Sequence, residues 1–313
     1  MSDTALHITN GDSLTDYLKD LDFAGDMITW REMLCEGPTM SKINSEAFFQ
    51  SRKSFLKEFY NVNEEEYVLE EELRKLDHAD KYTEIVLWFE YDLFCHINLL
   101  GVINLIQQRG ITTPLSLVCS GRVEGHKQLK GLGELSPDQI YVHYTNRMHL
   151  QPDDITLMVD LWNIYCGKDH NIFKPYITSN SSFKYLTNCL KAHLKRFPNQ
   201  KTGLSTIEEN ILNIVKNEHI KSMHHLLGYS LNYQGYYGFG DVQLKRIIDG
   251  LNQFLHIEED RVTLNRKGHE ALLGQHNFSQ EINNRMVYGG INRLDFIFNS
   301  EENKLVKTIP NVH

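Results

Sequence analysis

The chain has 313 residues, of which 41% are hydrophobic and 23% are charged, a composition typical of a globular protein of one or two domains. Its formal net charge of −9 argues against a protein that wraps nucleic acid, because such proteins carry a basic face. No apolar run reaches the roughly 20 residues that span a bilayer, the first residues lack a signal-peptide pattern, and the five cysteines include no C-x-x-C pair. We expect a cytoplasmic protein with reduced thiols and no membrane partner.

Four short apolar runs predict the strands of one sheet, at residues 6–9, 26–29, 85–89 and 115–119. Between them the pattern predicts a helix from Asp12 or Ser13, a helical stretch over residues 45–75 and an apolar helix over residues 92–108. Strands that alternate with helices in this way are typical of a parallel sheet with right-handed crossovers. We therefore predict a Rossmann-like α/β domain over residues 1–195, with helices that begin near Ser136 and Pro152 covering the sheet.

Residues 196–313 have the element order of a smaller, winged-helix-like α+β domain. The predicted helices at residues 205–215, 221–227 and 241–254 precede a hairpin of strands at 255–257 and 262–264. Lys245 and Arg246 would lie on the recognition helix, but the wing tip is acidic (Glu258, Glu259, Asp260) and would repel phosphate. DNA is therefore a less favoured partner than a protein. An aromatic loop offers either a partner surface or packing within its own domain; it contains Tyr233, Tyr236, Tyr237 and Phe239.

Acidic side chains follow three of the predicted strands. They are Asp12, Glu32, Glu36, Glu90 and Asp92, with His96 one helical turn after Asp92. Because the carboxyl ends of parallel strands meet at one edge of a sheet, we expect these groups to converge there. Converging carboxylates need a cation or a shared proton, and Mg²⁺ held by Asp12, Glu32, Glu90 and Asp92 would polarise a water for phosphoester hydrolysis. These four carboxylates and His96 are the candidate catalytic residues.

The same edge supplies candidate ligand contacts. Gly11 lies at a strand-to-helix turn, where the backbone can approach an anion at a helix N-terminus. The ligand-binding candidates are Asn10, Gly11, Ser13 and Trp30, with Arg31, Arg52 and Arg122 balancing the charge of the ligand. The alternative is purely structural. In that interpretation Asp12 and Asp92 cap helices, and Glu32 and Glu36 pair with the arginines.

Two nucleophile patterns have weaker support. The letters Gly11-Asp12-Ser13-Leu14 match the nucleophile block of the GDSL esterases, in which Ser13 would attack an ester, but the later blocks of that family are missing. Cys35 needs a base that only tertiary structure could bring, His7 or His96, and a buried small residue is the simpler interpretation. The pair His224-His225 has no zinc spacing.

Several sequence segments resemble motifs of a bacterial family known as domain of unknown function 1835. These segments run from Ile8 to Ser13, from Trp30 to Pro38 and from Leu87 to Phe94, and the segment from Leu132 to Gln139 looks like a later motif of that family. The tail, from Leu204 through Gly240-Asp241 to Gly290, is similar to the companion domain of unknown function 3658. Tyr91 stands where family members often carry His, which weakens the case for a base at this position. The resemblance implies a bacterial cytoplasmic protein of two domains, but it implies no particular activity.

From these features we expect a phosphorylated or nucleotide-like small molecule to bind at the sheet edge, with metal-dependent phosphoester hydrolysis as the enzymatic form of that hypothesis. The rival hypothesis is a non-enzymatic regulator. Its first domain would sense a ligand, and its winged-helix-like domain would contact DNA or protein.

Overall fold

The computed structural model describes residues 4–308, apart from the side chain of Glu64. The strands are β1 Ala5–Asn10, β2 Gly25–Trp30, β3 Gly37–Pro38, β4 Glu84–Trp88, β5 Leu115–Val118, β6 Met148–His149, β7 Leu255–Glu258, β8 Arg261–Leu264, β9 Val287–Gly289, β10 Ile291–Asn292, β11 Phe296–Asn299 and β12 Lys304–Lys307. The helices are α1 Asp12–Asp20, α2 Glu46–Tyr60, α3 Leu69–Glu72, α4 Leu93–Gln108, α5 Pro137–Thr145, α6 Pro152–Cys166, α7 Lys174–Thr178, α8 Leu186–Leu194, α9 Thr206–Asn217, α10 Met223–Tyr233, α11 Asp241–Gly250, α12 Arg266–Leu272 and α13 Ser279–Ile282. Among these described residues, no helix combines the length and the apolar character needed to cross a membrane.

The largest sheet has five strands in the order β2-β1-β4-β5-β6, and the first four are parallel. The short edge strand β6 runs antiparallel to β5. The prediction of a mixed α/β protein built on a parallel sheet is confirmed, and all four predicted strands belong to that sheet. Every residue of β5 is buried, as is every residue of β4 after Glu84, which is expected of central strands covered on both faces.

The predicted helix over residues 45–75 is wrong beyond residue 60. Helix α2 ends there because Asn61 adopts a left-handed conformation with φ 54°. The N–H of Asn61 donates to the carbonyl of Lys57, and the N–H of Val62 donates to that of Leu56, which closes the helix with the reversed bonds of a C-terminal cap. Short 3₁₀ turns and α3 follow instead of one long helix. The helical spacing of apolar residues did not reveal this stop.

The last third of the chain contains α9, α10 and α11 followed by the antiparallel hairpin of β7 and β8. Helix α10 is longer than predicted, and α11 ends at Gly250 before a 3₁₀ turn. The sequence did not indicate the small sheet in which β9 pairs with both β3 and β10, or the hairpin of β11 and β12. Buried side chains from both sides of the predicted boundary at residue 195 belong to one continuous hydrophobic cluster. The division into two domains stays a prediction.

Candidate functional site

Asp12 lies at the surface in a bidentate ion pair with Arg31. The Arg31 Nε donates to both carboxylate oxygens at 2.9 and 3.0 Å, and Nη2 lies 2.7 Å from Oδ1. Asp12 is the first residue of α1 and not its cap, which is Gly11 with φ 99°. The prediction that Asp12 joins the other carboxylates is wrong, because its charge is already balanced by an arginine on the neighbouring strand end.

Glu32 is fully buried in a second pair, with Arg52. Its Oε2 accepts from Nε and Nη2 of Arg52 at 3.0 and 2.8 Å, and its Oε1 accepts from the hydroxyl of Tyr67 at 2.8 Å. The remaining Arg52 donors bind the main-chain carbonyls of Met33, Glu36 and Pro38. Every atom of this pair that could contact a ligand is therefore occupied, which corrects the assignment of Glu32 as a metal ligand and of Arg52 as a ligand contact.

Glu36 is buried in a third pair that reaches the last third of the chain. Its Oε1 lies 2.7 Å from Nη2 of Arg246, and its Oε2 accepts from the Tyr60 hydroxyl and from the Gln243 amide. Arg246, predicted on a recognition helix, thus faces the interior of the protein. Cys35 is also buried here, and burial raises the pKa of its thiol to about 12. A thiol in that state is not a nucleophile at neutral pH.

Glu90 and Asp92 do come together at the end of β4, and Cys95 joins them. One donor atom from each of the three lies within 4.8 Å of the others. Asp92 caps α4 by accepting from the N–H of Cys95 at 2.8 Å, and Glu90 accepts from the N–H of Leu132 at 2.6 Å. Burial raises the pKa of Asp92 to about 7, and the charge of Glu90 adds to that rise. Burial raises the pKa of Glu90 as well.

The predicted Mg²⁺ site is not formed as a set of four carboxylates, because Asp12 and Glu32 lie in arginine pairs. The three donors that do converge include a thiol, whereas Mg²⁺ requires oxygen ligands in a near-octahedral arrangement. Soft sulfur donors suit zinc-like ions instead. The residues present therefore fit Mg²⁺ poorly.

A cavity of about 270 Å³ opens beside the carboxyl end of β5. Its lining includes Leu117, Cys119, Ser120, Arg122, Val142, His143, Asn146, Met148, Phe183, Lys184, Tyr185 and the predicted residue His96. Neither Arg122 nor Lys184 forms an ion pair with a carboxylate of the described chain; Arg122 binds the carbonyl of Lys127, and Lys184 lies 5.5 Å from the ring centre of Tyr185. The hydroxyl of Ser120 is buried and has no hydrogen-bond partner within residues 4–308.

His96 lies in the first turn of α4 and is buried. Its Nδ1 lies 2.9 Å from the main-chain oxygen of Asp92. Burial lowers the pKa of His96 to about 4, and the main-chain carbonyls of Asp92 and Glu90 oppose that effect only in part, so the ring is neutral at physiological pH. A neutral imidazole that lines a cavity can accept or donate one hydrogen bond there, depending on which nitrogen holds the proton.

The other predicted ligand contacts are partly engaged elsewhere. The Asn10 amide donates to Cys95 Sγ at 3.1 Å, and its oxygen accepts from Asn98 at 2.8 Å. Ser13 is exposed on α1 and is not its cap, so the prediction that Asp12 or Ser13 caps this helix is wrong. Trp30 is buried, and its indole N–H lacks a partner within the described chain. Gly11 has the positive φ that its place at a strand-to-helix turn requires.

Of the residues that line this cavity, His96 and Arg122 were predicted site residues, and the others were not. Ser120 and Arg122 follow the fourth predicted strand directly, and this position was the one available signal. Lys184 and Tyr185 precede α8 and carry no motif, and tertiary packing alone brings them there. The N–H of Arg122 donates to the Tyr185 hydroxyl at 2.7 Å, which ties the two segments together.

The aromatic loop packs across the N-terminus of α4. The N–H groups of Leu93 and Phe94 donate to the carbonyls of Tyr236 and Tyr237 at 2.8 and 3.1 Å. Tyr237 and Phe239 are buried. The loop therefore packs on α4 in the first part of the chain, rather than only within its own predicted domain, while Tyr233 is 60% exposed.

Comparisons with known proteins add little. No protein-family model matches the chain, and no curated protein does. Among solved structures, the chain is similar to a topoisomerase II DNA-binding, cleavage and re-ligation domain from Plasmodium falciparum, at 13% identity and a TM-score of 0.48. The match covers 80% of this chain but 42% of that structure, so the chain spans less than half of its length. A likeness this weak supports no functional argument, and the resemblance to the two domains of unknown function stays a prediction.

Proposed function

We propose that the protein binds a phosphorylated small molecule in the cavity beside β5. The observation that carries the proposal is the combination of two cations without carboxylate partners in the described chain, Arg122 and Lys184, with the buried, unpartnered hydroxyl of Ser120. A phosphate group offers both the negative charge and the acceptor oxygens that these groups lack. Like the site expected from the sequence, this site lies at the carboxyl edge of the sheet, but it is beside β5 and away from Asp12.

A thermal-shift and calorimetric titration with phenyl phosphate, inorganic phosphate and AMP tests the proposal, because a ligand that binds only the folded state raises the melting temperature. We expect phenyl phosphate or AMP to bind, and Arg122→Gln to weaken binding by about tenfold or more. Arg31→Gln is the matched control, since Arg31 lies at the same sheet edge but pairs with Asp12. Loss of binding in both variants, or in neither, contradicts the proposed location.

The enzymatic form of the hypothesis needs a cation near the bound phosphate. Support for it is limited to the group of Glu90, Asp92 and Cys95, whose thiol favours a zinc-like ion over Mg²⁺. Release of nitrophenol from p-nitrophenyl phosphate, measured with Mg²⁺ and separately with Zn²⁺, decides between binding alone and hydrolysis. We propose binding as the function and leave hydrolysis to that measurement.

The regulator hypothesis is the second candidate. We propose that the five-stranded sheet is Rossmann-like, supported by its parallel order β2-β1-β4-β5, and that α9 to β8 form a winged-helix-like unit, supported by three helices followed by a hairpin. Arg246 pairs with Glu36 and is withdrawn from any partner, whereas Lys245 is exposed. A gel shift with duplex DNA at low salt that disappears in Lys245→Glu would favour this hypothesis over ligand binding alone.

A further inference from the structure

We infer that Glu90, Asp92 and Cys95 form a binding site for a zinc-like divalent ion at the junction of β4 and α4. The inference goes beyond the proposed function, because it concerns a cation and does not involve Arg122 or Lys184. It follows from the convergence of three ligand atoms, from two negative charges that no cation of the described chain balances, and from the kind of donor that each side chain offers.

The three donors converge at a strand-to-helix junction. Asp92 caps α4, and its carboxylate accepts from the N–H of Cys95, which brings the side chains of these two residues to the same side of the first helical turn. One oxygen of Glu90, one oxygen of Asp92 and Sγ of Cys95 lie within 4.8 Å of one another. Donor atoms around a tetrahedral zinc ion are roughly 3.5 Å apart, so a shift of about 1 Å brings the three into bonding range.

Glu90 and Asp92 differ in charge balance from other buried carboxylates. Glu32, Glu36 and Glu208 each pair with an arginine, at distances of 2.8, 2.7 and 2.6 Å. Asp92 is 6% exposed, yet neither it nor Glu90 forms an ion pair with any side chain of the described chain. Two carboxylates this close require a cation or a bound proton. The two compete for the same place, so protein freed of the ion by a chelator would hold the proton instead.

Main-chain atoms fix both carboxylates without neutralising them. Oε1 of Glu90 accepts from the N–H of Leu132 at 2.6 Å, and a Cβ built on Gly131 would lie 2.8 Å from Oε2. A Cβ built on Gly238 would lie 2.0 Å from the carboxyl carbon of Asp92. A carboxylate has about four lone-pair sites, so a single N–H leaves acceptors free for an ion. Ligands held in this way lose little conformational entropy on binding.

The donor set selects the class of ion. Hard ions such as Mg²⁺ and Ca²⁺ take oxygen ligands, whereas zinc accepts both carboxylate oxygen and cysteine sulfur. Sγ of Cys95 also accepts from the Asn10 amide at 3.1 Å, a contact of the kind that orients metal ligands. Three protein donors leave one tetrahedral position for water or a substrate, which is typical of an open zinc site. Glu90 is half-buried, so an ion can reach the group from its side.

The test is a titration of the intact protein, first treated with a chelator, with Zn²⁺ and separately with Co²⁺. We expect one Zn²⁺ per chain to bind with a Kd of about 1 μM or lower, and an excess of Mg²⁺ not to displace it. Co²⁺ bound to a thiolate absorbs in the near ultraviolet by charge transfer from sulfur, so this band reports on the cysteine directly. Failure of Zn²⁺ to bind would overturn the inference and leave the phosphate titration, which needs no metal, as the separate test of the proposed function.

Two cysteine variants assign the band to one thiol. Cys95→Ser should abolish it and weaken Zn²⁺ binding by about a hundredfold or more. Cys189→Ser is the matched control, because the thiol of Cys189 is also buried and donates to the carbonyl of Tyr91 at 3.3 Å but is not one of the converging donors. This variant should keep the band and the affinity. A band that survives in Cys95→Ser, or disappears in Cys189→Ser, contradicts the assignment.

Two carboxylate variants provide an independent measurement. Asp92→Asn keeps a capping side chain and should weaken Zn²⁺ binding by about tenfold or more, because it removes one ligand charge. Asp154→Asn should leave the affinity unchanged. Asp154 is likewise buried at a helix start, where it accepts from the N–H of Gln151 at 2.9 Å, but it lies on α6. Should Cys95→Ser fail to fold, equal Zn²⁺ affinities for these two variants would still overturn the inference.

Discussion

At the scale of single residues, ion pairs with arginines keep three of the five acidic side chains that follow the strands apart from one another. Asp12, Glu32 and Glu36 each pair with an arginine from a different element. A buried carboxylate is costly without a cation, so pairing within about 3 Å outcompetes the gathering of like charges at one site. Glu90 and Asp92 are the exception, because main-chain N–H groups and not cations satisfy them.

This exception predicts an unusual pH dependence for Asp92. Its usual pKa is 3.8, and burial beside Glu90 raises it to about 7 in the folded chain. The folded protein therefore holds a proton that the unfolded chain releases, and stability falls as the pH rises from about 4 to about 7. Asp92→Asn keeps a capping side chain but does not titrate. We therefore expect its free energy of unfolding, relative to that of wild type, to be about 3 kcal/mol greater at pH 8 than at pH 5.

Urea unfolding at both pH values measures this gain, and Glu72→Gln is the control. Burial raises the pKa of Glu72, but hydrogen bonds from Lys75 and the Thr29 main chain and the charges of Lys75 and Arg31 outweigh that effect and hold the pKa below its usual range. The contribution of Glu72 therefore changes only in more acidic solution, and its variant should differ from wild type by the same amount at pH 5 and pH 8. A constant difference for Asp92→Asn as well would show that Asp92 titrates normally.

At the scale of elements, the segment between α10 and α11 closes the N-terminus of α4. Its backbone carbonyls accept from the first N–H groups of α4, which would otherwise lack partners at a buried helix end. Gly238 makes this approach feasible. It has φ +67°, and a Cβ built there would lie 2.0 Å from the carboxyl carbon of Asp92.

Substitution of Gly238 tests that contact. Gly238→Ala should reduce the free energy of unfolding by about 3 kcal/mol or more, because it combines a left-handed backbone with a clash against Asp92. Gly235 lies three residues earlier with φ +71°, and a Cβ added there would meet no other atom within 4 Å. Gly235→Ala should therefore cost only about 1 kcal/mol, the backbone part alone. Equal losses in urea unfolding would mean that the loop does not press on Asp92.

At the scale of the whole molecule, the first and last parts of the chain are joined by three kinds of contact. Strand β3 pairs with β9, Glu36 pairs with Arg246, and buried side chains from both parts belong to one hydrophobic cluster. The three tryptophans, Trp30, Trp88 and Trp162, all lie before residue 195 and report on the first part alone. Shared burial of this kind favours a single cooperative unfolding transition.

A core substitution in the last part tests this coupling. Phe254 is fully buried and packs edge-on against Phe278, with ring centres 5.2 Å apart. Phe254→Ala should cost about 3 kcal/mol and shift the urea midpoint seen by tryptophan fluorescence as much as the midpoint seen by circular dichroism. Ile257→Ala, at a position 51% exposed, should shift neither. An unchanged fluorescence midpoint in Phe254→Ala would mean that the two parts unfold independently.

Local patterns along the chain were enough to predict the four parallel strands, the apolar helix between them and the order of three helices and a hairpin. These features depend on periodicity and capping, which neighbouring residues control. The same patterns put the acidic residues at strand ends, and they brought Glu90 and Asp92 to one place because only Tyr91 separates them.

Packing between elements that are distant in the sequence determined which charged side chains form ion pairs. Arg52 comes from α2 and Arg246 from α11, and no sequence spacing links them to Glu32 and Glu36. Lys184 reaches the cavity from the segment before α8. Electrostatic pairing depends on distances of a few ångströms between elements that are far apart in the chain. The predicted acidic cluster did not form as a whole, because tertiary contacts pair three of its members with arginines. Tertiary contacts also form the cavity beside β5, and the periodicity of the sequence encodes neither.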